Sequence, residues 1–172
     1  MRRPLPRDGG PLARPAGGPP AAPASRRPGD GAGFTQSFPA TPAHVRQAVR
    51  AAIARFARRI GPEDAGALEL VLAEVLNNVV EHAYGSRGGA EGRIGLFIRL
   101  EAQGLRCLIW DKGRPMPAGR IPAGAPPDIG LEVAALPEGG FGWSIIRQLV
   151  STPRYRRAAG VNLLRFVLPV GV

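Results

Sequence analysis

Three short stretches carry side chains whose types and spacing could do chemistry. The first runs from Glu74 to His82. At helical spacing, Glu74, Asn78, Glu81 and His82 project within about 100° of one another, on the flank opposite the apolar centre. Asn offers a neutral oxygen to Mg2+, which keeps most of its ligands as waters and phosphate oxygens. Glu, one turn away, can accept a proton from an attacking hydroxyl or water. A solvated polar helix face would carry the same residues. The chain has 2 histidines, so a His-based metal site is not expected, and His82 alone reads as a helix-end residue.

The second stretch is Trp110-Asp111-Lys112-Gly113-Arg114-Pro115. Asp111 closes an apolar strand pattern, where its carboxylate can accept a hydrogen bond from an exocyclic amine such as that of adenine. Gly113 lets backbone approach a flat ring closely. An ordinary strand-ending turn uses the same residue types. The third stretch is Gly139-Gly140-Phe141-Gly142, ahead of a helical pattern. Free amides at a helix start suit phosphates. No Gly-Lys-Ser/Thr is present and no βαβ unit surrounds the stretch, so it is neither a Walker loop nor a Rossmann fingerprint. A hinge or helix cap is its plainer reading.

The elements that must hold these stretches follow from periodicity. Phe34 to Phe38 alternates apolar and polar residues and reads as a strand. Thr41 as N-cap and Pro42 at the first helical position open a helix over about 42–60. Val45, Val49, Ile53, Phe56 and Ile60 form its apolar stripe, with the arginines outside it. Gly61-Pro62 ends that helix and starts a second, running to about Ala83. Glu63 and Asp64 sit favourably in its first turn, and Leu68, Leu72, Leu76, Val79 and Ala83 form its apolar face. Residues 93–101 and 105–110 read as adjacent strands turning at Gln103-Gly104. Residues 112–139 contain six prolines and exceed ordinary loop length, which suits a lid or a disordered segment. A third helix over about 142–151 and strands at Tyr155 and 161–168 close the chain. The fold class is α+β: a two-layer sandwich, with helices on one face of a mixed, mostly antiparallel sheet.

Composition narrows the partners. The 172 residues include 1 cysteine, which forbids an internal disulfide and any Cys-based zinc site. No apolar run approaches the roughly 18 residues that span a bilayer. The Met-Arg-Arg start lacks an apolar h-region, so a cytoplasmic protein without membrane contact is expected. Residues 1–33 hold 8 of the 19 prolines and 7 of the 24 glycines, with Leu5 and Leu12 their only large aliphatics. They read as a disordered Pro/Gly/Arg-rich tail before a domain over 34–172. The net charge is +10, carried by 22 Arg and 1 Lys. There is no Lys-rich run and little aromatic interleaving, so direct nucleic-acid binding is not expected. A general attraction to acidic partners or nucleotides is.

Taken in order, the motifs are Glu74-x-x-x-Asn78-x-x-x-His82-Ala83-Tyr84, Asp111-x-Gly113-x-Pro115, Gly140-x-Gly142, and Tyr155 with Gly160-x-Asn162. Together they resemble the GHKL, or Bergerat-fold, ATPase superfamily over about 34–168. More narrowly they resemble bacterial anti-sigma-factor serine kinases of the RsbW and SpoIIAB type. The resemblance implies the Bergerat ATP-binding fold, with ATP and Mg2+ as cofactors. It assigns Asn78 to Mg2+ and Glu74 to the general base, and counts His82 among the nucleotide-binding residues. It has Asp111 read the adenine amine with Gly113 beneath the ring, and Gly140 and Gly142 cradle the phosphates under the lid.

Histidine kinases usually carry Asn where Glu74 stands and a second glycine where Pro115 stands. They also need a phosphoacceptor-histidine helix pair, whereas 41–60 is one short helix with His44 at its start. Gyrase- and chaperone-type relatives share the Glu but attach large extra domains. Three departures from the family pattern are Trp143 where leucine is usual, Ser151-Thr152-Pro153 where an acidic residue is common, and Pro169 where a lysine is frequent. The implied function is an ATP-dependent serine/threonine protein kinase. It would act as an anti-sigma factor, binding a sigma factor and phosphorylating a STAS-domain anti-anti-sigma partner. Two alternatives stay open: a sequestering module that uses ATP only as a structural ligand, and an orphan histidine-kinase-type catalytic domain. The oligomeric state, a homodimer included, is also open.

Overall fold

The computed structural model describes residues 33–85, 91–123 and 141–171. The tail expected over 1–33 lies outside them except for Gly33, which begins strand β1 (Gly33–Pro39). Helix α1 (Pro42–Phe56) opens as expected: Thr41 is extended, and its side-chain oxygen accepts a hydrogen bond from the His44 N–H at 3.4 Å. Such a cap contributes about 1 kcal/mol. The helix stops at Phe56 and not at Ile60. Pro62 disfavours helical geometry at Gly61, so the chain leaves α1 in a tight turn in which the Arg59 N–H donates to Phe56 O at 2.7 Å. Ile60 is still buried in the core.

Helix α2 (Pro62–Asn78) buries Leu68, Leu72 and Leu76. The single helix expected to Ala83 instead widens into a π-helical turn over Val79–Ala83. Just before it, the Asn78 side chain turns back on its own helix, where its Nδ2 donates to Glu74 O at 2.7 Å, a local side-chain bond to the carbonyl one turn earlier. The next N–H, of Val79, is shared between Leu76 O and Val75 O. Wide turns of this kind occur often at functional sites.

Strands β2 (Arg93–Glu101) and β3 (Gly104–Asp111) form the expected hairpin. Helix α3 (Phe141–Leu149) precedes strands β4 (Ser151–Ala158) and β5 (Val161–Leu168). The sheet order is β1-β2-β3-β5-β4. Every described pairing is antiparallel, where the sequence led us to expect a mixed sheet. The last strand enters between β3 and β4, and this insertion sets Asn162 directly opposite Asp111.

Burial alternates along the central strands: Leu105, Cys107 and Ile109 are buried while Arg106 is exposed. The buried set faces the three helices, which lie on one side of the sheet and share one core with it. The result is the two-layer α+β arrangement expected. Of the segment over 112–139, residues 117–119 form a 3-10 turn and residues 124–139 lie outside the described residues. Among the described residues no helix is long and apolar enough to cross a membrane.

Candidate functional site

Asp111 and Asn162 are the buried polar side chains of an otherwise apolar core, each 5% exposed. Burial of this kind costs free energy unless the groups are hydrogen-bonded, and they are. Asn162 Nδ2 donates to Asp111 Oδ1 at 2.8 Å and to Arg114 O at 3.0 Å. The Gly113 N–H donates to the same Asp111 Oδ1 at 2.8 Å, closing a local turn. Asn162 Oδ1 accepts from the Tyr155 hydroxyl at 2.7 Å and from Arg157 Nη1 at 2.5 Å. The Tyr155 oxygen in turn accepts the Met116 N–H at 3.1 Å. Desolvation lifts the Asp111 carboxyl above its ordinary range, opposed by its hydrogen bonds from Asn162 and Gly113 and by the nearby charge of Arg157.

A cleft of about 150 Å³ opens beside this pair. Its walls include Asn78 and His82 from the second helix, Trp143 from α3, and Tyr155, Asp111 and Asn162 from the sheet. The π turn and the loop after β3 are tied together at its rim, where the Arg114 N–H donates to Ala83 O at 2.9 Å. The Asn78 side chain is oriented by its bond to Glu74 O. Its nitrogen is committed there, so its oxygen is the atom left to meet a hard cation. Among the described residues no group of three His, Cys, Asp or Glu side chains could hold a metal ion. A cation here would take one oxygen from Asn78 and most of its shell from waters and the ligand's own oxygens, which is the habit of Mg2+.

Glu74 does not line the cleft. Its carboxylate stands against Gly142, in the first turn of α3, where a methyl group would collide with Glu74 Oε2 and lie 3.7 Å from Asn78 Nδ2. Glu74, Asn78 and Gly142 thus meet at one place, while Asn78, His82 and Asp111 share the cleft. Gly140 lies outside the described residues.

Gly113, expected beneath a bound ring, sits at the rim of the cleft beside the π turn. A Cβ at Gly113 would lie 2.7 Å from both Cβ and O of Ala83. The glycine is required by the packing of the π turn on this loop. Trp143 is buried and forms part of the wall. Tyr155 and Asn162 were quoted only as the closing motif. Their one sequence signal is the turn at Gly160, whose φ of 77° favours glycine and which places Asn162 two residues into the last strand.

The sequence matches the histidine kinase-like ATPase domain family over residues 38–168. Among solved structures, the RsbU and RsbW domains of Rv1364c from Mycobacterium tuberculosis align with a TM-score of 0.50 and 15% identity, covering 80% of this chain and 32% of that one. The blue-light activated histidine kinase of Erythrobacter litoralis EL346 aligns with a TM-score of 0.47 and 22% identity, covering 77% of this chain and 42% of that one. The chain therefore spans less than half the length of either structure. No curated protein matches it. With the family match reaching from β1 to the end of β5 around the cleft just described, the chain belongs to the histidine kinase-like ATPase domain family.

Proposed function

We propose that the chain is a regulatory serine/threonine protein kinase that uses Mg-ATP, binds a sigma factor, and phosphorylates a STAS-domain partner. The observation that carries this reading is the placement of Glu74 and Asn78 against the start of α3, beside a cleft that Asp111 also lines. In this arrangement Asp111 Oδ2 accepts the adenine amino group. Asn78 Oδ1 serves Mg2+, whose charge, when the ion is bound, offsets that of the phosphates. The first turn of α3 directs its backbone toward those phosphates. Glu74 orients a serine or threonine hydroxyl and accepts its proton. Phosphoryl transfer asks little more of a protein than positioning and charge stabilisation. Phosphorylation would add negative charge to the partner's surface and so change what it binds. The serine/threonine specificity and the partners rest on the resemblance of the sequence to the RsbW and SpoIIAB type, in which Glu74 is the distinguishing residue.

One observation favours the second reading, a sequestering module: Glu74 stands outside the cleft wall. Incubation with labelled ATP, Mg2+ and the STAS-domain protein encoded nearest to the chain separates the two. Label on a serine or threonine of that protein supports the kinase. Tight binding with no transfer supports sequestration.

A further inference from the structure

The face of the sheet turned away from the helices carries an apolar patch and a basic one side by side. In one ladder row Gly95, Trp110, Leu163 and Arg156 stand in line across β2, β3, β5 and β4. In the next row the line is Phe97, Leu108, Arg165 and Arg154. The alternation that buries Ile109, Leu164 and Phe166 against the helices turns these residues outward. The indole of Trp110 occupies the space where a side chain at Gly95 would begin, so it lies over the backbone of β2. Arg154 and Arg165 are direct cross-strand partners, and Arg156 is diagonal to Arg165. Like charges placed in this way destabilise a sheet. All three are exposed, and among the described residues none of them joins an ion pair. Glu101, the one acid that the strands place on this face, is taken by Arg106 at 2.9 Å. Three mutually repelling guanidinium groups beside an apolar patch are relieved by carboxylates laid among them.

We propose that this face is the docking surface for an acidic amphipathic helix of a partner protein, its apolar stripe on Trp110 and Leu108 and its carboxylates among Arg154, Arg156 and Arg165. Neighbouring strands lie about 4.8 Å apart, so the apolar strip on β2 and β3 is centred about 10 Å from the arginines on β5 and β4. A helix about 10 Å across, with an apolar stripe beside an acidic one, meets both. A second copy of the chain would set the same arginines against one another across a twofold axis. A nucleic acid would meet Leu108 and Leu163 at the centre of the patch, where a base has no ring to stack on. The cleft opens on the helix side of the sheet, so a helix docked here leaves it free.

The test is calorimetric titration of the full chain with three probes. One is a helical peptide of about 18 residues, or five turns, with a leucine stripe flanked by glutamates. The second has lysine for each glutamate, and the third is an oligouridine of similar length. The wild type should bind the glutamate peptide and not the lysine peptide. Arg165→Thr should weaken that binding about fivefold, the scale of one ion pair, and Arg156→Thr should do the same. Arg165→Thr should also raise the melting temperature by about 1–4 °C, because its repulsion with Arg154 is gone. Arg50→Thr removes the same charge from the exposed side of α1 and should change the affinity less than about twofold. Equal losses in Arg50→Thr and Arg165→Thr reduce the attraction to net charge and overturn the proposal. A wild type that does not bind the glutamate peptide overturns it as well. Tighter binding of the oligouridine, lost in Arg156→Thr and Arg165→Thr, assigns the face to nucleic acid instead. A wild-type dimer in sedimentation that Leu163→Asp dissolves assigns it to a second copy, and either result overturns the proposal.

Discussion

The carboxylate of Glu74 fills the space where any side chain at position 142 would begin. One residue lies near the C-terminal end of α2 and the other in the first turn of α3, so their contact sets how closely the two helices approach at the site. The obstruction is the far end of a flexible side chain, which can swing aside. Gly142→Ala should therefore leave the melting temperature nearly unchanged. Phosphoryl transfer should fall by about 10-fold to 10²-fold, because a displacement of about 1 Å in a positioned group is enough for that. ATP affinity should change less than transfer. Calorimetry and a transfer assay on one preparation check the pattern.

Gly113→Ala makes the opposite case. The new methyl would meet the Ala83 backbone carbonyl at 2.7 Å, and that carbonyl already accepts the Arg114 N–H. Neither group can yield without moving the π turn or the loop after β3. Overpacking of this kind costs about 1–3 kcal/mol. Urea denaturation should show the loss with the slope unchanged.

That contrast marks what the sequence could tell. The start of α1 was legible because Thr41 and Pro42 act locally. The hairpin of β2 and β3 was legible because alternation and a Gly104 turn are also local. The π turn over Val79–Ala83 was not, since the apolar periodicity runs through it to Ala83 unbroken. The packing of Gly113 on Ala83 was not legible either, because spacing alone does not say what a glycine lies against. The link between Asp111 and Asn162 depends on β5 entering beside β3, a non-local pairing across 51 residues.

Asp111 should make ATP binding depend on pH. Burial raises its folded-state carboxyl above the ordinary range, and the ionised form is the one that accepts the adenine amine. Affinity should be at its plateau above that raised value and fall as pH drops through it. The sign for stability is the reverse. Between the ordinary and the raised value the folded protein holds the extra proton, so this group's contribution to stability declines as pH rises through that window. His82 and Tyr155 line the same cleft from the π turn and β4, and the charge of Arg157 acts on Asp111. Asp111→Asn retains all three, so the pH-dependent part lost in that variant belongs to Asp111. An identical profile in the two proteins contradicts the assignment.

Glu74→Gln keeps the size and hydrogen bonding of the side chain but removes its basic lone pair. ATP affinity should stay within a few-fold of the wild type. Transfer to a protein serine or threonine should fall by roughly 10²-fold or more, the scale of losing a general base. Equal transfer by wild type and variant would show that Glu74 is not the base.

The central claim is that the cleft beside Asp111 and Asn78 holds ATP with Mg2+, and calorimetric titration with ATP, with and without Mg2+, tests it most directly. The wild type should bind ATP with an affinity that Mg2+ strengthens. Asn78→Ala should lose most of that strengthening while keeping its melting temperature, a loss of about 1–3 kcal/mol for one polar partner. A folded wild-type protein that binds no ATP in either condition would contradict the account.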